Sequence, residues 1–427
     1  MPRPTFAIQA CTSRNPSRDN APGMTRNSTH WLGPLLAILV AQIAVSFLSR
    51  LAPTLAPALA AHLHWSVSDI GLLSSITVVG SAIFTLVGLP LVLRAGPIRS
   101  LQTGLVVGAV GTLLYALPWA AGAVVGSILI GLAAGPQATA GSDVLRRHAP
   151  AGSQNLLFSI KQAGVPLGGV LGGLFMPMLV NLVGLTATFC LCAGLAIVTG
   201  LAMQAVRREL DATRDPKQAI HPRLLLSIAN LRRPLRSLAD DVHLLRLSAV
   251  GGFLALGQAV WFTFLISHLV LHLGISLVAA GALFALMQIV STVGRPAMGA
   301  LADRWSALAI LKASCIGSAL ATVTLALVTP QWPYWAVLTL MVVGGCTVSS
   351  WNGVQIAQVA RFARPGTIGE SITGSTLIVF VGNVAGPALF VVIDALGGDF
   401  RIGFVVSALC TVAGLIPLAK LPHAPDH

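Results

Sequence analysis

The sequence predicts an all-α membrane protein, twelve transmembrane helices arranged as two pseudo-symmetric six-helix bundles. Three observations carry this expectation: a scarcity of charge, a series of long apolar runs, and an internal repeat that maps one half of the chain onto the other.

Hydrophobic residues make up 55% of the 427 positions and charged residues only 9%, with a mean hydropathy of +0.83. An ordinary soluble domain carries roughly 25% charged residues. A bilayer core needs about 20 apolar residues per helix, and only helices or closed barrels satisfy their backbone groups there. The pattern lacks the alternation of barrel strands and instead gives runs at 32–59, 69–93, 100–120, 122–143, 155–180, 183–205, 247–270, 276–300, 307–328, 335–357, 370–394 and 402–419. The chain accordingly divides into a tail (1–31), a six-helix bundle (32–205), a polar central loop (206–246), a second six-helix bundle (247–419) and a short tail (420–427). The first tail holds Arg3, Arg14, Arg18 and Arg26 and no apolar stretch long enough for a signal peptide, so it reads as disordered, with Met24 as an alternative start to Met1.

A net charge of +13 in a soluble protein would suggest nucleic acid. Here the cations alternate by side instead. Arg94, Arg99, Arg146, Arg147, the central loop, Arg304, Lys312, Arg361, Arg364 and Lys420 all follow even-numbered spans, whereas Arg401 stands on the other side. Cytoplasmic loops carry the excess of Lys and Arg, which places the even side and both termini in the cytoplasm of a multi-pass inner-membrane protein whose partner is the lipid bilayer and not nucleic acid. Trp65, Trp119, Trp332, Tyr334 and Trp335 fall at the opposite ends, as interfacial aromatics do. Of six cysteines, Cys190, Cys192, Cys315, Cys346 and Cys410 lie inside apolar runs, which argues for packing rather than disulfides or metal. No phosphate-binding glycine loop, His-Glu-x-x-His helix or serine elbow is present, so an enzyme is not expected, and no cofactor.

The halves repeat. His62-Leu63-His64-Trp65-Ser66 running to Gly71 matches His272-Leu273-Gly274-Ile275-Ser276 running to Gly281, and the same register pairs Ser81 with Ser291 and Arg94 with Arg304. Further on, Gly164 to Gly168 pairs with Gly382 to Gly386, and Pro150 with Pro365. Such a duplication of six spans is a transporter signature.

Gly299-Ala300-Leu301-Ala302-Asp303-Arg304-Trp305-Ser306 lies in the loop after the eighth span and resembles the G-x-L-A-D-R-x-G signature of the major facilitator superfamily. In the first half Leu93 stands where the acid is expected, while Arg94, Gly96 and Arg99 remain. Gly164, Pro166, Gly168 and Gly169 in span five resemble the superfamily's glycine-proline helix-bend motif, with Val165 inserted. Small residues there let helices approach closely, so packing explains them as well as a hinge does. The resemblance implies a secondary transporter working by alternating access, and points to the small organic anion, carboxylate or cyanate type. It implies a gating role for Gly299, Asp303, Arg304, Arg94 and Gly96, with Asp303 reaching the start of span five near Ser153, where a carboxylate is favoured by the helix dipole. The plain alternative is a solvated turn.

Polar groups at membrane depth are costly and therefore informative. Arg50, Lys161, Gln137 and Asn352 are candidates to line one cavity, with Trp351 as a wall, and no carboxylate occupies the middle of a span. Interhelical hydrogen bonding explains the amides equally well. Arg50 with Lys161 as second contact points to an anionic small-molecule substrate, and protons are a candidate coupling ion. Multidrug or metabolite efflux by antiport and a non-transporting receptor or regulator are the competing readings.

Overall fold

The computed structural model describes residues 31–148, 154–212, 214–218, 220, 228–364 and 367–422. These residues form helices and connecting turns with no strand among them. Ten helices are long and apolar enough to cross a membrane. They are span two (Val67–Val87, continued by Leu89–Ala95), four (Ala120–His148), five (Gln154–Val183), six (Leu185–Ala202), seven (Val242–Leu271), eight (Leu277–Arg304), nine (Ala307–Leu327), ten (Tyr334–Thr347 and Asn352–Phe362), eleven (Ile368–Ala395) and twelve (Phe400–Ala413 and Leu415–Ala419). The segments expected as spans three and one fall outside those ten. Span three (Pro97–Leu114) opens on the polar turn Arg99, Ser100 and Gln102, and span one is broken into Leu32–Leu48, Leu51–Thr54 and Ala56–Leu63. Much of the outer surface is apolar, with Leu182, Leu201, Val293 and Val381 each 67–68% exposed. That is the expected surface for a protein solvated by lipid.

The sequence repeat has a physical basis in the helix ends. Ser66 caps span two, its hydroxyl accepting from the Asp69 N–H at 3.1 Å, and Ser276 caps span eight by accepting from Ala279 N–H at 3.3 Å. Before each cap the chain turns through the left-handed region, at His64 (φ 56°) and at its repeat partner Gly274 (φ 66°). The conformation favours glycine, so His64 holds it at some cost. Deeper in, Ser81 donates to the Gly131 carbonyl at 3.1 Å and its repeat partner Ser291 to the Ser349 carbonyl at 3.2 Å, tying span two to four and span eight to ten in the same way.

Glycines set the helix spacing. A methyl group on Gly168 would sit 2.7 Å from the Ile43 carbonyl oxygen of span one, and one on Gly386 would sit 2.5 Å from the Leu256 carbonyl oxygen of span seven. Span five thus packs on span one as span eleven packs on span seven, backbone against backbone, which is how helices associate where hydrophobic driving force is absent. The equivalent pair Pro150 and Pro365 lies outside the described residues.

Between the halves, the described residues of the segment expected as a polar loop include two helices, Gln204–Leu210 and Ile228–Ala239. The second is amphipathic: Arg232, Arg233 and Arg236 are exposed, Leu238 is buried, and Ser237 is hydrogen-bonded to Ser371 of span eleven at 2.6 Å. Span seven starts at Val242 because the Asp241 carboxylate accepts from His243 and Leu244 N–H. For description, the end of the bundle carrying Arg94, Arg304 and these helices is the basic face.

Candidate functional site

Span one breaks where its sequence makes it break. Pro53 and Pro57 have no N–H to give the carbonyls of Ser49 and Pro53, so the helical ladder is interrupted twice within one segment. Arg50 sits at the first interruption, its N–H turning to the Phe47 carbonyl at 3.0 Å. Its Cβ packs toward Gly172 of span five, and its guanidinium lies over the Phe262 ring of span seven, 4.2 Å from the centroid. Three spans from two halves meet at this cation–π contact. The Arg50 Nε is buried without a hydrogen-bond partner.

Span eight brings a second arginine. Arg295 also buries its Nε without a partner. Two turns back on the same face, Gln288 leaves both amide atoms unsatisfied and presses against Gly169. Sequence reading joins Arg50 to Lys161 and does not bring in Arg295. The available signal was the absence of mid-span acids to partner either cation.

The remaining candidates are spread out. Lys161 lies against Gly141 of span four, eleven residues before Gly172, or about 16 Å along span five. That offset is between backbone positions of span five and sets Lys161 nearer the basic face than Arg50. Gln137 is buried with neither amide atom bonded, while Asn352 donates to Gln258 at 3.5 Å, and no hydrogen bond joins the two among the described residues. Trp351 is a correction: it is fully buried in the core of the second bundle, with its N–H given to the Val348 carbonyl at 3.0 Å, so it packs rather than faces a cavity. In the helix-bend motif, Gly164 and Gly168 face span one and Gly169 faces span eight, while Pro166 is accommodated inside a continuous helix.

At the basic face, Asp303 is 77% exposed and lies 3.9 Å from Arg361, within its own half. Gly299 has open space around it, and Arg304 is exposed. Ser153 lies outside the described residues. The first-half loop is organised differently, by a carboxylate the sequence reading overlooked. Asp211, just after span six, accepts from Ile98 N–H at 2.7 Å and from Arg99 N–H at 3.3 Å, closing the start of span three. Burial raises this carboxyl above its ordinary range, while those two N–H groups, Arg99 and Arg207 pull it down. Gly96 (φ 98°) is required here twice over, since a side chain would strain the backbone and collide with Asp211.

The halves meet away from the basic face. Ser68 of span two donates to the Asp394 carboxylate of span eleven, Ser75 donates to the Val384 carbonyl at 3.0 Å, and a methyl group on Gly173 of span five would sit 2.5 Å from the Gly281 carbonyl oxygen of span eight. With Gly169 on Gln288 and Arg50 on Phe262 nearer the middle, the contacts run from the far face to about mid-depth.

Two pseudo-symmetric bundles touching along spans two, five, eight and eleven define a class of membrane protein with two rocking halves. The family model for the Major Facilitator Superfamily matches residues 35–387, and the chain belongs to that superfamily. It is 27% identical over 299 residues to an uncharacterized MFS-type transporter of Mycobacterium tuberculosis, a match covering 69% of this chain and 62% of the relative's own length. A shorter match, 31% identical over 145 residues, covers 33% of this chain and 28% of a protein of Arabidopsis thaliana described as probable anion transporter 3, chloroplastic. Among solved structures, the fold resembles a bacterial homolog of the human lysosomal transporter Spinster in an inward-facing, unoccupied conformation (TM-score 0.67, 17% identity, covering 92% of this chain and 95% of that one). It also resembles a POT family transporter in complex with 5-aminolevulinic acid (TM-score 0.75, 13% identity, covering 92% and 96%).

Proposed function

We propose that this protein is a secondary active transporter that moves a small organic anion across the inner membrane by alternating access, with its basic face in the cytoplasm. The observation that carries the reading is a pair of buried arginines, Arg50 and Arg295, one from each half, whose Nε atoms lack partners and which form no ion pair among the described residues. A cation at membrane depth costs on the order of 2.5–3.5 kcal/mol by insertion scales, so two of them without an acidic partner call for compensation. A bound carboxylate supplies the missing acceptors, and a guanidinium holds it through two parallel hydrogen bonds. Because the two arginines belong to different halves, a bound anion also ties the halves together. The partial match to a protein described as a probable anion transporter agrees with this reading. In this reading, the contacts on the far side and the exposed Asp303 belong to the state in which the cytoplasmic gate is released.

The test is a thermal-shift screen of purified protein against mono- and dicarboxylates, sulfonates and phosphate. Hits are followed by flux of the radiolabelled compound into proteoliposomes, with and without an imposed pH gradient. Arg50→Lys is expected to weaken affinity while keeping some flux, and Arg50→Ala nearly to abolish it. Unchanged affinity in Arg50→Ala, or a cationic solute, refutes the anion site. Binding without flux in the wild type refutes transport.

A further inference from the structure

Outside the interface between the halves, a cavity of about 730 Å³ lies between spans two, three and four on the basic side. Its depth and its mouth differ in chemistry. The walls are apolar, with Phe84 and Leu91 of span two, Val107 of span three and Leu132 of span four, while Arg94, Arg99 and Arg214 stand at its basic end. Arg99 and Val107 are eight residues apart on one helix, so the cavity runs about 12 Å from its cations into hydrocarbon depth. It lies at an apolar stretch of outer surface: Thr103 and Val107 continue the face on which Val106 and Val110 are each 47% exposed.

The charge at the mouth is balanced only in part from within the chain. Asp211 is occupied by the Ile98 and Arg99 N–H groups and stands 3.9 Å from the Arg99 Nε. Asp215 turns its carboxylate to Lys217 N–H, and Arg94 and Arg214 form no ion pair among the described residues. The repeat shows what is missing. In the second half Asp303 neutralises Arg361, whereas its counterpart Leu93 is apolar and 41% exposed.

We propose that this cavity binds an anionic glycerophospholipid, its phosphodiester held by Arg94, Arg99 and Arg214 and one acyl chain lying along Val107 and Leu132. A soluble anion would match the arginines and waste the apolar wall, and a zwitterionic lipid would match the wall while bringing its own cation to the arginines. Only a lipid of net negative charge matches both. The phosphate then stands where Leu93 provides no acid, so the bilayer completes a loop that in the second half is completed by protein.

The test is native mass spectrometry of delipidated protein titrated with dioleoylphosphatidylglycerol or dioleoylphosphatidylcholine. One phosphatidylglycerol is expected to be retained at concentrations where phosphatidylcholine is not. Each arginine near a charged membrane surface contributes about fivefold, so Arg94→Gln with Arg214→Gln is expected to weaken retention about 25-fold. Val107→Trp, which fills the apolar wall with every charge intact, is expected to abolish it. Arg246→Gln serves as the control, because that guanidinium is given to the Lys420 carbonyl at 2.8 Å and does not line the cavity. Equal retention of the two lipids overturns the proposal, as does unchanged retention in either the arginine or the Val107 variant. Displacement of the lipid by glycerol 3-phosphate at equal concentration also overturns it, by showing a site for a soluble anion.

Discussion

Substituting Gly173 by Ala tests how the two halves are held. In this conformation the added methyl group sits 2.5 Å from the Gly281 carbonyl oxygen and 3.2 Å from the Ala285 nitrogen, both backbone atoms of span eight that no rotamer change can move. Overpacking of this kind costs about 1–3 kcal/mol. Replacing a helical glycine by alanine also gains about 0.5–1 kcal/mol in helix propensity, but that gain is present whichever way the halves are tilted, so it cancels between conformations. Only the clash is specific to the state closed at the far face. The equilibrium is therefore expected to shift toward the far-open state by roughly 5- to 150-fold, the same 1–3 kcal/mol expressed as a ratio. Spin labels at Leu182 and Val278, exposed positions near the far ends of spans five and eight, report the separation by double electron–electron resonance in nanodiscs. A longer-distance population is expected to grow in Gly173→Ala. An unchanged distance distribution in a correctly folded variant would show that the Gly173–Gly281 contact does not depend on the state of the halves.

Asp303→Asn is expected to lower flux in proteoliposomes while leaving expression and insertion normal, because the intact signature in the second half faces a first-half loop without its acid. Wild-type flux would reduce the motif to a turn. A single cysteine at Ala212, in a chain otherwise freed of cysteine, is expected to resist an impermeant maleimide in intact cells and to react after permeabilisation. Labelling from outside reverses the orientation inferred from charge. Asp211→Ala strands the Ile98 N–H at the start of span three and is expected to cost about 1 kcal/mol, seen as a lower melting temperature, with Asp211→Asn intermediate because its amide oxygen still accepts one bond. An equal melting temperature for all three proteins would show that water satisfies that helix end.

Sequence alone settled what depends on composition and period. The long apolar spans were legible because hydrocarbon demands about 20 apolar residues from each helix, and the superfamily was legible from one octet in a loop whose place in the repeat is fixed. The register of the repeat was legible too, since Ser66 and Ser276, or His64 and Gly274, answer the same local demand for a cap and a left-handed turn. What the tertiary structure decided is which side chains meet. Arg50 of span one sits at the level of Gly172, and Lys161 lies about 16 Å from Gly172 along span five. Arg295, from the other half and more than two hundred residues away, buries its Nε without a partner as Arg50 does. Trp351 carried the same sequence signal as a cavity wall and turned out to be core. Periodicity tells which face of a helix is polar or small, but the rotation and depth of one helix against another are set by glycine contacts such as Gly168 on Ile43 and Gly173 on Gly281, and those exist only once both halves have folded.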